Sequence, residues 1–134
     1  MFISHVRICL KNKYDLNFKV KACHDAHISL LQIDRSTFEI VIGQMKNSTS
    51  ALYKTDERGI TPLLYSGQGL LDCSKFEHYF IRWSLTDLVF GQVHSAKWEN
   101  LINYTFQQKN ISFLNATVSS DNGATGQWIF QESG

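Results

Sequence analysis

The residues best suited to chemistry lie in one short run, His94-Ser-Ala-Lys-Trp-Glu-Asn100. A Trp ring offers a flat apolar face, and the His, Lys, Glu and Asn around it offer hydrogen-bond donors and acceptors. That combination suits a sugar. Galactose-type rings present an apolar face that an aromatic can cover, and their hydroxyls need a few well-placed polar partners. A second polar run, Asp121-Asn122-Gly123, could add contacts, although the same residues also make an ordinary turn. The candidate carbohydrate-binding residues are therefore His94, Trp98, Glu99, Asn100, Asp121 and Asn122. By residue type alone, Trp98 would serve at least as well as a plug at one end of a core. Trp83 and Trp128 lie within apolar runs and read as core.

Other chemistries find less support. His24-Asp25-Ala26-His27 packs three donor types into four residues. At a strand start, though, the two imidazoles point to opposite faces, whereas a catalytic zinc needs three converging ligands. No metal is expected. No Gly-x-Ser-x-Gly elbow is present, and no cysteine has an activating neighbourhood. Gly67-Gln-Gly69 is followed by Leu-Leu-Asp-Cys rather than by a helix, so it reads as a turn and not as a dinucleotide cradle. No cofactor and no catalytic residue is expected. The net charge of +1, with Lys and Arg scattered singly, gives neither the basic stripe of a nucleic-acid binder nor the cluster of an anionic-membrane binder. The longest apolar runs are too short for a membrane span.

Positioning these residues falls to β-strands. Leu16, Phe18, Val20 and Ala22 share one face, with Asn17, Lys19 and Lys21 on the other. Similar alternation marks strands from Ile3 to Leu10, Ala26 to Leu30, Phe38 to Ile42, Ala51 to Lys54, Leu63 to Ser66, Phe76 to Leu85, Leu88 to Gln92, Ile111 to Val118 and Gln127 to Phe130. Turn residues separate them, as at Asn12-Lys13, Asp34-Arg35-Ser36 and Thr86-Asp87. The 134 residues fit one domain, 1–134, an all-β antiparallel β-sandwich of about ten short strands. On this reading, His94 to Asn100 is a loop following a strand. The ending Ile40-Val-Ile-Gly-Gln44 recurs as Leu88-Val-Phe-Gly-Gln92. Its glycines are expected to bend or turn strands at the sandwich edge. Similarity outside the two copies is too thin to establish a duplication.

Cys9, Cys23 and Cys73 allow one disulfide plus a free thiol, or three thiols. Four N-x-S/T acceptors, at Asn47, Asn103, Asn110 and Asn115, are a mild excess that favours a secreted, extracellular protein. The first ten residues read as a strand rather than as a signal peptide.

Five pieces carry a resemblance. They are Cys23-His-Asp-Ala-His-Ile28, Phe38-Glu-Ile-Val-Ile-Gly43 with Asn47 and Ser50, Phe80-Ile-Arg-Trp83, Leu88-Val-Phe-Gly91 with Trp98, and Gly123-Ala-Thr-Gly-Gln-Trp128. In order and spacing, from about Tyr14 to Phe130, the chain resembles the farnesoic acid O-methyltransferase-like domain family. Gln44 and Met45 stand where that family usually has Gly and often Trp, and Leu52-Tyr53 where Ile-Arg is common. The resemblance implies a β-sandwich module without the usual fold for S-adenosylmethionine, similar in some invertebrate members to free-standing lectins. The expected function is a lectin for galactose-type glycans such as N-acetyllactosamine. Its partners would be glycans and glycoproteins, with no nucleic acid and no membrane insertion. It would gain avidity as a homo-oligomer, dimer or tetramer. The alternatives are a protein-interaction module or the methyltransferase of the family name.

Overall fold

The computed structural model describes residues 6–68, 70–108, 110–120 and 126–131. Eleven strands run β1 (Val6–Cys9), β2 (Asp15–Lys21), β3 (Ala26–Gln32), β4 (Thr37–Gly43), β5 (Thr49–Asp56), β6 (Gly59–Ser66), β7 (Glu77–Trp83), β8 (Asp87–His94), β9 (Lys97–Thr105), β10 (Phe113–Ser120) and β11 (Gln127–Gln131). They form two antiparallel sheets, β1-β10-β3-β4-β5-β6 and β11-β2-β7-β8-β9. The expected β-sandwich is the fold.

Alternation decides what lies between the sheets. In β2 the even-numbered Leu16, Phe18 and Val20 are buried and the odd-numbered residues are half-buried on the outside. From the facing sheet come Ile28, Leu30, Phe38, Ile40 and Ile42; Tyr79, Ile81, Leu88 and Phe90 complete the centre. Trp83 and Trp128 belong to this core, as their apolar surroundings in the sequence suggest. Pro62 lies inside β6. Because β6 is an edge, its missing N–H breaks no interior ladder.

The sequence reading misses β9. Its first four residues are exposed on both sides of the edge, so period-2 burial never develops there. A register shift opposite Phe90 and Gly91 interrupts the alternation further. The run from His94 to Asn100 is therefore the tip of a β8–β9 hairpin and not a loop. Ser95 and Ala96 make its two-residue turn, both with positive φ (48° and 67°), the twist that suits tight hairpins.

The repeated glycines have different physical reasons. Gly43 ends β4 with φ 72° and opens a left-handed turn, α1 (Gln44–Asn47), in which Met45, Lys46 and Asn47 have φ of 52°, 61° and 60°. Left-handed backbone costs an L-residue about 1–2 kcal/mol. Lys46 is exposed, so Lys46→Gly is expected to raise stability by about 0.5–1 kcal/mol. A urea midpoint below the parent's would refute this. The turn is held by Asn47, whose Nδ2 donates to the Leu71 carbonyl (2.8 Å) while its Oδ1 accepts from Leu71 N–H (3.0 Å). Nearby, the Tyr79 hydroxyl donates to the Leu70 carbonyl (3.0 Å). A disulfide joins Cys23 to Cys73, and Cys9 is free and exposed. Among the acceptor asparagines, Asn103 and Asn110 are exposed, whereas Asn47 and Asn115 are half-buried.

Candidate functional site

The outer face of the five-stranded sheet is laid out by register. Ile129, Lys19, His78, Val93 and Trp98 form one row across β11, β2, β7, β8 and β9. The next row is Gln131, Asn17, Phe80, Gly91 and Asn100, and beyond it come Asp15, Arg82, Val89 and Asn103. These are the alternate positions of strands whose other face fills the core.

An aromatic platform stands on this face. Phe80 is 0% exposed yet lies outside the inter-sheet core cluster. It is covered from solvent by Trp98, whose ring centroid is 5.0 Å away, and by Arg82, whose guanidinium lies 4.8 Å from the Phe80 ring and 4.8 Å from the Trp98 ring. The His78 ring meets Trp98 edge-on at 5.8 Å. Trp98 itself remains 46% exposed, so it is not the end-of-core plug that its residue type allowed. Phe80, Arg82 and His78 each cover part of the indole, and the remainder is open to a ligand.

Gly91 makes the platform possible. A Cβ there would run into the Phe80 ring and the Glu99 carbonyl oxygen. The glycine is thus a bare floor within β8, which continues to His94, and not a strand end as the repeat suggests. Gly91→Ala is expected to cost about 2–3 kcal/mol by overpacking and to displace Phe80 and Trp98 together. Thermal unfolding and Trp fluorescence would register both effects; unchanged values would refute the close packing.

Polar groups beside the platform lack partners. Asn17 Oδ1 and His78 Nε2 are buried atoms with no hydrogen-bond partner among the described residues. Each such group costs about 1–3 kcal/mol until something bonds to it. Burial, helped by the Lys19 charge, holds the His78 imidazole below its usual pKa, which keeps it neutral near pH 7. Sugar hydroxyls both donate and accept, so they match either atom chemically, although both are covered and a neighbouring side chain must shift to admit one.

The residues singled out from sequence divide between two surfaces. Trp98 and Asn100 lie on the platform face, Asn100 directly opposite Gly91. Alternation along the hairpin turns His94 and Glu99 to the other side, into an open cleft with Gly67, Gln68, Leu70, Glu77 and Gln92. There Gln92 Nε2 donates to Glu77 Oε2 (3.1 Å). Asp121 and Asn122 lie outside the described residues. Sequence reasoning missed Asn17, His78, Phe80 and Arg82. The available signal was the even-numbered face of Glu77–Trp83, His-x-Phe-x-Arg, which is too aromatic and basic for an idle surface. Of the described residues, no group of three or more His, Cys, Asp or Glu is placed to hold a metal.

Comparison with known proteins bears on the whole chain. The family model described as farnesoic acid O-methyl transferase matches residues 2–133. The chain belongs to that family. No curated protein sequence matches it. Two solved structures share the fold of this farnesoic acid O-methyl transferase family domain. The carbohydrate binding module CBM66 from Bacillus subtilis aligns with TM-score 0.56 at 8% identity, over 96% of this chain and 74% of that one. A double mutant of congerin II aligns with TM-score 0.64 at 10% identity, over 96% of this chain and all of that one (100%). At these identities the family domain shares architecture with both, not residues.

Proposed function

We propose that this domain is a lectin that takes terminal galactose-type sugars, N-acetyllactosamine among them, on the outer face of the five-stranded sheet. The observation that carries the reading is the half-exposed Trp98 seated on buried Phe80, with Arg82 against both rings. The unpartnered His78 Nε2 and Asn17 Oδ1 lie on the same face. The apolar face of the sugar stacks on the indole. The Arg82 guanidinium and the Asn100 side chain donate to hydroxyls and ring oxygens, and His78 and Asn17 fix the hydroxyls pointing inward. A fold shared with a protein named as a carbohydrate binding module supports this reading.

A single open site of this kind binds weakly, so avidity from several copies, as a dimer or tetramer, is part of the proposal. So is an extracellular setting, which the Cys23–Cys73 disulfide favours. The family description favours a second reading, methyl transfer to a sesquiterpenoid acid. The antiparallel sandwich offers none of the strand–glycine turn–helix units among its described residues that cradle nucleotide cofactors. We place the domain outside the enzymes. A glycan array with N-acetyllactosamine and its neighbours tests the lectin reading, and an array without hits overturns it. Heat of binding on titration with S-adenosylmethionine would restore the enzyme, and native mass spectrometry reads the copy number.

A further inference from the structure

We infer that the preferred ligand is an anionic galactoside, its sulfate or carboxylate held by Lys19 beside the Trp98 platform; this rests on the lectin reading above. Lys19 stands directly across from His78 on one side and Ile129 on the other. The indole of Trp98 reaches back over the sheet to His78, the neighbour of Lys19. Trp98 and Lys19 stand three strands apart, about 14 Å at about 4.8 Å per strand, and the indole spans much of that distance, so the acid group of a sugar stacked on it, or of the next sugar along, falls within reach of the Lys19 ammonium.

Charge on the face supports an anion. Lys19, Lys21 and Arg82 form no ion pair with a carboxylate among the described residues. Arg82 lies against aromatic rings, and Lys21 Nζ lies 5.5 Å from the centre of the Phe76 ring. Among the described residues, two carboxylates share the face. Asp15 lies across from Arg82 and makes no ion pair with it, while Asp87 accepts hydrogen bonds from the hydroxyls of Thr86 (2.9 Å) and Thr105 (3.1 Å) at the far end. Around Lys19 the neighbours are Asn17, Lys21, Ile129 and a neutral imidazole, none of them a carboxylate. Two cations without a carboxylate partner, beside two unpartnered polar atoms, make a place where an oxyanion gains more than a hydroxyl does.

The test compares N-acetyllactosamine with its 3′-sulfated and 3′-sialylated forms by titration calorimetry with the intact chain at low and high salt. At low salt, one or both anionic forms are expected to bind several-fold more tightly than the neutral sugar, with the gap closing as salt screens the charge. Which of the two gains identifies the source, sulfate ester or carboxylate. Lys19→Gln is expected to reduce the anionic preference about fivefold, and Lys19→Arg to retain it. Equal affinity for all three sugars overturns this inference and leaves the lectin reading intact. Binding of none overturns both.

Discussion

Trp98→Ala is expected to lower affinity for galactose-type glycans about thirtyfold, a loss of about 2 kcal/mol, while the sandwich stays folded. The indole gives a broad apolar surface that the Phe80 platform presents to solvent, and it also holds the Arg82 guanidinium at 4.8 Å. Truncation removes the stacking surface and frees the arginine at once. The stability cost is smaller, about 1 kcal/mol, because the ring is already 46% exposed and packs on an edge strand. What is lost is cover over Phe80. Trp98→Phe keeps a ring in place and should retain most of the affinity. Calorimetry with N-acetyllactosamine, beside circular dichroism of each variant, reads both quantities. Parental affinity in a folded Trp98→Ala protein would remove Trp98 from the site.

Replacing both bridged cysteines, Cys23→Ser with Cys73→Ser, should have the largest effect on stability, a loss of about 4 kcal/mol for a closed loop with a sequence separation of 50. A domain of this size has about 5–15 kcal/mol in all, so the variant would stand near the edge of folding. Loss would not be uniform. The bridge fastens the chain just past β2 to the segment leading into β7, and those two strands carry Asn17, His78, Phe80 and Arg82. Urea unfolding measures the change. Alkylation of the unreduced parent, which should label Cys9 alone, confirms the starting state. An unchanged midpoint would show that Asn47, Tyr79 and the strand pairing hold the segment without the bridge.

The architecture was legible because burial between two sheets imposes a period of two, which Leu16 to Ala22 and Phe38 to Ile42 display openly. The site was legible only in part. Trp98 stood out as a ring among polar residues, but β9 hid its strand character because both sides of its first half meet solvent. Without that strand, the pleat that sends Asn100 to one face and Glu99 to the other could not be read. The partners of Trp98 lie on β2 and β7, whose outward residues become neighbours through cross-strand register, a relation that local spacing does not encode. Gly91 shows the same limit. Its motif shares the Val-x-Gly-Gln pattern of the one around Gly43, yet one glycine turns the backbone and the other makes room for a ring.

The Asn47 clamp has a consequence in time rather than in space. Asn47 heads an N-x-S/T acceptor, but in the native chain both ends of its amide are taken up by Leu71. Attaching a sugar to Nδ2 replaces one of its two hydrogens and sets a bulky ring beside Leu71, which works against closing that clamp. In a chain that meets glycosylation machinery during synthesis, Asn47 is open only until residues 70–73 arrive, a segment that also carries Cys73, the disulfide partner of Cys23. Occupancy at Asn47 would then record how fast the fold closes: an unmodified asparagine marks a chain that outran the enzyme, and a modified one marks a chain that came too late to lock its turn.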